Sequence, residues 1–331
     1  MAAIAFPSLA KSGSVPSGTT YSFVHVHPKG NKPYILFLHG FPDSSYGWRH
    51  QIPYFQERGY GLIVPDLLGY GGTDKPKDVE AYRLKKMAQD LIDFLDAYQI
   101  QQVIGVGHDW GSSFLSRLAY YHPERFSKYA FLDVAYAPPR GHFSIDALNE
   151  QTEKLLGYPI FGYWHFFNEP NAGELMDQKP ASMNSLLFPA DPTSFKENLC
   201  IPNATRAYLA SGTTQPLASW ITPSEISIYN EIFAPQNGEG GYGPPLNWYK
   251  AQIANLNTAD EAEVSEEKYH IQVPALLVTC TRDYIAVPKM QEGLMRPWVR
   301  DLLVKEMDAG HFVQAEKAEE VNQTLEEFIE K

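Results

Sequence analysis

The chain has 331 residues, 44% hydrophobic and 20% charged, which suits a water-soluble globular protein: one large α/β domain with an insertion, or two domains. With 27 basic against 39 acidic residues the formal net charge is −12, and no basic cluster stands out, so nucleic acid and anionic membrane surfaces are excluded as partners. No run of apolar residues is long enough for a transmembrane helix.

MAAIAFPSLAKSGS, at residues 1–14, lacks the basic start and sustained apolar stretch of a secretory signal. Cys200 and Cys280 form no disulfide framework and no C-x-x-C, so a reducing, cytoplasmic setting is expected. The tripeptides at Asn203 and Asn322 match the glycosylation pattern but carry little weight in that setting.

Along the chain, TYSFVHVHP near residue 20 reads as an antiparallel edge strand. YILFLHG (34–40) and GLIVPD (61–66) are buried strands by their continuous apolar character. Residues 81–98 place Leu84, Met87, Ala88, Leu91, Leu95 and Tyr98 at helical spacing, with charges between them. QQVIGVGHD (101–109) is a further strand. The helix WGSSFLSRLAYYHP after it should stop near His122, because a proline follows. YAFLDVA (129–135) is the next strand.

From about 139 to 255 the rhythm breaks into helical fragments punctuated by proline and glycine, with scattered aromatics. The Gly-rich NGEGGYGPP (237–245) reads as a turn or hinge, since it lacks the Lys and Ser/Thr of a phosphate cradle. VPALLVTCTRD (273–283) and LLVKEMDAGH (302–311) resume the strands, and a last amphipathic helix carries Val321, Leu325 and Phe328 on one face. This alternation predicts a parallel sheet covered on both faces, with active residues at the carboxyl ends of its strands. Asp109, Asp133, Asp283 and His311 all end predicted strands.

Gly107-His108-Asp109-Trp110-Gly111 has the frame G-x-D-x-G. The G-x-S-x-G version is a sharp strand-to-helix turn that exposes a nucleophilic serine. A carboxylate in that place attacks a saturated carbon rather than a carbonyl and leaves an ester on the enzyme. The substrate must then carry a strained ring or a good leaving group. The bland reading of Asp109 is a helix N-cap. A dinucleotide site is excluded, because the glycine spacing is off the fingerprint and Asp109 would face the pyrophosphate.

Several segments together resemble the soluble epoxide hydrolases of the α/β-hydrolase superfamily: HGFPDSSYGWRHQIP (39–53), PDLLGYGGTDKP (65–76), GHDWGS (107–112), YWHFFNEP (163–170), GPPLNWY (243–249), TRDYIAVP (281–288) and DAGHFVQAEKAEEV (308–321). They fall in the family's order and cover nearly the whole chain. The resemblance implies an α/β-hydrolase fold, with residues 1–138 and 256–331 as its core. A mainly helical lid, 139–255, is inserted after the sixth strand. It also implies a small apolar epoxide and water as the reactants, no cofactor, a monomer or homodimer, and a role such as detoxification.

On this reading Asp109 is the nucleophile and His311 the base that activates the water for ester hydrolysis, its ordinary pKa of about 6.5 suiting the task. Asp283 is the favoured carboxylate for the other imidazole nitrogen, with Asp133 its rival. His39 and His108 are weaker bases, each held by local hydrogen bonds in its turn. The resemblance assigns the oxyanion hole to the N–H groups of Phe41 and Trp110, and the two donors to the ring oxygen to Tyr163 and Tyr249, with Tyr158, Tyr229 and Tyr242 as alternates. A neutral phenol donates to a developing alkoxide and can protonate it.

The rivals are a dehalogenase with the same Asp109 and His311, a non-catalytic ligand-binding protein, and a serine esterase using Ser112 or Ser113. For the dehalogenase, Trp110 and Trp164 could hold a halide, but Phe41 and the lack of an arginine before Arg117 argue against it. No metal site is expected, because the ten histidines show no H-E-x-x-H or comparable spacing.

Overall fold

Among the described residues, eight strands form a single sheet: β1 Ala10–Ser14, β2 Thr20–Val26, β3 Tyr34–Leu38, β4 Gly61–Pro65, β5 Val103–His108, β6 Phe126–Leu132, β7 Ala275–Cys280 and β8 Leu302–Met307. Their spatial order is β1-β2-β4-β3-β5-β6-β7-β8. The pairs β1–β2 and β2–β4 are antiparallel and every other pair is parallel. The computed structural model describes residues 1–139, 141–236 and 240–331, so the first part of the 237–245 turn expected from sequence lies outside the described residues.

The continuous apolar runs have a simple cause. A strand points successive side chains to opposite faces, and here both faces are covered. In β3, Ile35 and Phe37 enter one core while Leu36 and Leu38 enter the other. In β7, Leu276, Val278 and Cys280 are divided from Ala275 and Leu277 in the same way. Helices Leu84–Ala97 and Trp110–Tyr121 cover one face, and Ala318–Glu330 covers the other through Val321, Leu325 and Phe328. Each fully buried side chain of this size contributes about 1.5–3 kcal/mol.

Two expectations from sequence change. The strand near residue 20 is not the edge, because β2 lies between β1 and β4. The edge is β1, AKSGS, whose residues are at most half-buried; an edge strand open to solvent has no apolar pattern to betray it. The fourth apolar run becomes strand three residues early, at Phe126, and ends at Leu132, because Asp133 takes a positive φ of 68° that breaks the ladder.

Helices from Ile145–Leu156 to Asn247–Ile253 fill the stretch between β6 and β7, and none of its described residues joins the sheet. No helix of the described residues is long and apolar enough to cross a membrane. Since β5, β6, β7 and β8 are adjacent and parallel, their carboxyl ends bring four distant loops to one edge of the sheet.

Candidate active site

Asp109 sits between β5 and the helix Trp110–Tyr121 with φ 53° and ψ −121°, a backbone conformation an L residue adopts only when its surroundings force it. Glycines make the turn possible. A Cβ on Gly111 would stand 2.0 Å from the Leu38 carbonyl oxygen, and one on Gly107 would stand 2.6 Å from the Gly111 oxygen. A Cβ on Gly40 would meet Asp109 Oδ1 itself, at 2.3 Å. Small residues thus let β3, β5 and the helix close around a single, largely buried carboxylate.

The two oxygens of that carboxylate have different surroundings. The Phe41 N–H donates to Oδ1 at 2.7 Å, and the Trp110 N–H at the helix start is a second neighbouring donor that favours the charged carboxylate. Oδ2 points instead toward His311, whose Nε2 is 3.8 Å away. The Phe41–Pro42 peptide is cis. Burial pushes the Asp109 carboxyl above its ordinary pKa, against the opposing pull of His311 and the two N–H donors. Asp109 occupies the N-cap place without making a side-chain cap hydrogen bond, so the bland reading of this residue is not what the geometry gives.

His311 stands four residues beyond β8 and turns Nδ1 away from Asp109. That nitrogen donates to Asp283 Oδ2 at 2.6 Å, and Asp133 Oδ2 is 2.7 Å from the same atom. The favoured acid and its rival therefore reach the histidine together, which the sequence reading treated as alternatives. Asp283 also accepts the Ile285 N–H at 2.6 Å. Burial works against the Asp283 charge, but His311 and its hydrogen-bond donors outweigh it and hold the group below the ordinary carboxylate range. Burial likewise works against charge on His311, and the two carboxylates outweigh it, leaving its pKa well above the usual imidazole value.

Tyr163 opens the helix Tyr163–Phe167 and Tyr249 lies on Asn247–Ile253, both between β6 and β7. Their rings are 6.0 Å apart, and Tyr249 meets Phe41 and Trp110 edge-on at 5.3 and 5.2 Å. Both phenols are buried, and burial followed by neighbouring charge, that of Asp109 included, raises their pKa values, so they remain neutral donors. The alternates are occupied elsewhere: Tyr158 donates to the Tyr284 carbonyl, Tyr229 to Asp43, and Tyr242 stacks on Phe233.

The two other candidate histidines, His39 and His108, have structural bonds. His39 lies between the Gly40 carbonyl and the Leu67 N–H. The expectation of local bonding at His108 needs correction. Its Nε2 donates across the sheet to the His311 carbonyl at 2.8 Å, and its Nδ1 accepts from Gln314 at 3.2 Å. Burial, then His311, drives its pKa down to about 3, so it is a neutral strut under the His311 loop. Sequence gave no sign of this pairing or of Gln314, because both partners lie about 200 residues from His108. Ser112 is buried inside the helix, away from the turn apex.

A cavity of about 260 Å³ opens beside His311, walled by Leu187, Phe195, Trp220 and Phe312, with Arg282 also on its wall. A carboxylate with one oxygen tethered and one free, a carboxylate-backed imidazole beside it, and two phenols nearby can together form and then hydrolyse an ester.

The model of the alpha/beta hydrolase fold family matches residues 33–318. Epoxide hydrolase 1 of Siraitia grosvenorii is 30% identical, over 92% of this chain and 94% of the relative. Bifunctional epoxide hydrolase 2 of Sus scrofa is 27% identical over 98% of this chain but only 58% of its own length, so the chain spans little more than half of that relative. Among solved structures, a mutant Vigna radiata epoxide hydrolase is 27% identical and superposes with a TM-score of 0.78, covering 97% of this chain and 98% of that one.

Proposed function

Since the chain belongs to the alpha/beta hydrolase fold family and, within it, to the epoxide hydrolases, we propose that it converts an epoxide to a vicinal diol through an ester on Asp109. Asp109 Oδ2 attacks a ring carbon as the C–O bond breaks, and Tyr163 or Tyr249 gives its proton to the ring oxygen. His311 Nε2 then takes a proton from water, and the hydroxide adds to the Asp109 carboxyl carbon. The Phe41 and Trp110 N–H groups hold Oδ1 as it becomes the oxyanion. Collapse releases the diol with Oδ2, and the imidazolium returns its proton to the phenolate, which restores every group.

The observation that carries this reading is the unequal pair of oxygens on Asp109. Oδ1 already accepts the Phe41 N–H at 2.7 Å, while Oδ2, which has no such tether, faces His311. Asp283 is the acid behind His311 on this reading. Residues 1–138 and 256–331 serve as the hydrolase core and 139–255 as a lid that carries both tyrosines over the carboxylate. The substrate is a small apolar epoxide, given the aromatic walls of Phe41, Trp110, Trp164 and Phe167. The cavity beside His311 supplies a path for water. The protein works in the cytoplasm, as a monomer or homodimer.

One turnover in heavy-oxygen water tests the mechanism. The label is expected in Asp109 and not in the first diol. Label appearing directly in the diol means that water attacked the ring, and the ester route fails.

A second reading rests on Trp164, whose buried Nε1 has no hydrogen-bond partner among the described residues and whose ring lies 5.6 Å from that of Trp110. Two indoles so placed could hold a halide, and chloride release measured beside diol formation separates the reactions.

A further inference from the structure

Two carboxylates meet one N–H in this site, and a single proton cannot satisfy both. The Nδ1 hydrogen of His311 goes to Asp283 Oδ2 at 2.6 Å. Asp133 Oδ2 lies 2.7 Å from the same nitrogen, yet neither Asp133 oxygen finds a hydrogen-bond donor among the described residues. The Asp133 side chain is fully buried, as is that of Asp283. An ionised carboxylate in that position would be desolvated, unsatisfied and pressed against a second negative charge, which is untenable beside well-paired alternatives. Like charges this close do not both ionise, and one carboxyl keeps a proton.

Asp133 is the one that keeps it. Asp283 has two donors, the His311 and Ile285 N–H groups, which stabilise its negative charge. Asp133 has none, and its backbone is locked at φ 68° with its N–H on the Val278 carbonyl, so its side chain cannot leave the pocket easily. The titratable groups around it are His108 at the end of β5, Cys280 at the end of β7, Asp283 and His311. Asp109 lies beyond His311 Nε2. His108 has both ring nitrogens in hydrogen bonds, to the His311 carbonyl and Gln314, so it offers Asp133 no charge. Burial, and after it the Asp283 charge, raises the Asp133 carboxyl well above the ordinary range, in keeping with the geometry.

We propose that Asp133 and Asp283 form a proton-sharing acid pair behind His311, in which Asp133 is a positioning residue that stays a carboxylic acid and donates its O–H to the Asp283 carboxylate. The pair then presents one negative charge to the imidazole through two anchors. Two full charges would hold His311 as imidazolium more firmly than one; a single charge orients the ring and weakens that hold, which favours the neutral form a base needs. The pair also contains its own replacement, since Asp133 can ionise and accept the Nδ1 proton if Asp283 loses its charge. This inference rests on the ester mechanism proposed above for its kinetic part only.

Infrared difference spectra and a double-substitution cycle test it. At neutral pH the folded enzyme should show the C=O stretch of a buried carboxylic acid that vanishes in Asp133→Asn, a signature independent of turnover. In single-turnover kinetics, Asp283→Asn should slow hydrolysis of the Asp109 ester by at most about 100-fold. Asp133→Asn/Asp283→Asn should lose about 10⁴-fold, as when a catalytic histidine is left without its carboxylate. Ester formation, followed by intact mass, should persist in all three variants. Absence of the acid band overturns the proposal, and so does an Asp283→Asn variant as impaired as the double one. If no ester forms even in the unaltered enzyme, the proposed function fails instead, while the infrared result still decides the protonation of Asp133. Asparagine matches aspartate in size, and a variant that does not fold is replaced by Asp133→Ser in the same spectrum.

Discussion

His311 Nε2 stands 3.8 Å from Asp109 Oδ2, beyond hydrogen-bond reach yet close enough for one to act on the other's chemistry. On the proposed mechanism this gap separates the two halves of the reaction. It would leave Asp109 free to attack and His311 placed to activate a water against the ester that results. Replacing His311 by Gln should therefore spare the first half and stop the second. Incubation with an epoxide should add the full substrate mass to the intact protein, with turnover lower by about 10²–10⁴-fold. A variant that turns over normally and never accumulates the adduct would remove His311 from its role.

Removal of the tyrosine hydroxyls should have the reverse effect. Tyr163→Phe and Tyr249→Phe each leave one phenol to meet the ring oxygen, so ester formation should slow by about 10-fold or more in each and by about 10²–10⁴-fold in the double variant. Hydrolysis of ester already formed should change little. Rapid-quench measurement of the two steps gives the answer, and equal slowing of both would point to general damage.

Asp109 holds its charge at a cost. Its folded pKa is raised by burial, so the folded state favours the protonated form and the ionised carboxylate weakens the fold above that pKa. Asp109→Asn should accordingly melt at a higher temperature than the unaltered protein at pH 7. The difference should shrink as pH falls through the Asp109 pKa, where the native group also becomes neutral. Ester formation in the native enzyme should be lost over that same window, which lies above the ordinary aspartate value of 3.8. A melting point lowered by the substitution at pH 7 would contradict this assignment.

The turn glycines should both resist substitution, with different effects on the chemistry. In Gly111→Ala the new methyl falls 2.0 Å from the Leu38 backbone oxygen, where nothing flexible can yield, so thermal unfolding should show a loss of about 3 kcal/mol or more. In Gly40→Ala the methyl falls 2.3 Å from Asp109 Oδ1 and 2.4 Å from Asp109 Cβ, and side-chain rotation can relieve only the first. That variant should therefore lose stability too, and lose ester formation as the Asp109 carboxylate is displaced. Circular dichroism melts beside intact mass read both effects, and a Gly40→Ala protein that melts and forms ester like the unaltered one would contradict the contact.

How much of this was legible in the sequence depended on how local each signal was. Continuous apolar runs marked β3, β4, β5 and β7, because a strand covered on both faces must be apolar throughout. The edge strand β1 escaped, because solvent on one side left AKSGS nothing to conceal. The Gly107–Gly111 frame exposed Asp109, since a turn this tight tolerates almost nothing but glycine at its flanks. The two tyrosines could be picked from 20 only through motif resemblance, as ring packing leaves no pattern in composition.

By itself, then, the sequence determined the layered α/β architecture, the Asp109 turn and the presence of acids and a histidine at the ends of successive strands. Only the tertiary structure decided how these ends converge. Parallel strands bring loops from residues 109, 133, 283 and 311 to one edge, and sheet order sets their distances. Thus Asp133 and Asp283, 150 residues apart in the chain, arrive at one nitrogen together. A choice between two acids on paper became a contest between two charges for one proton, because burial forbids both from staying ionised.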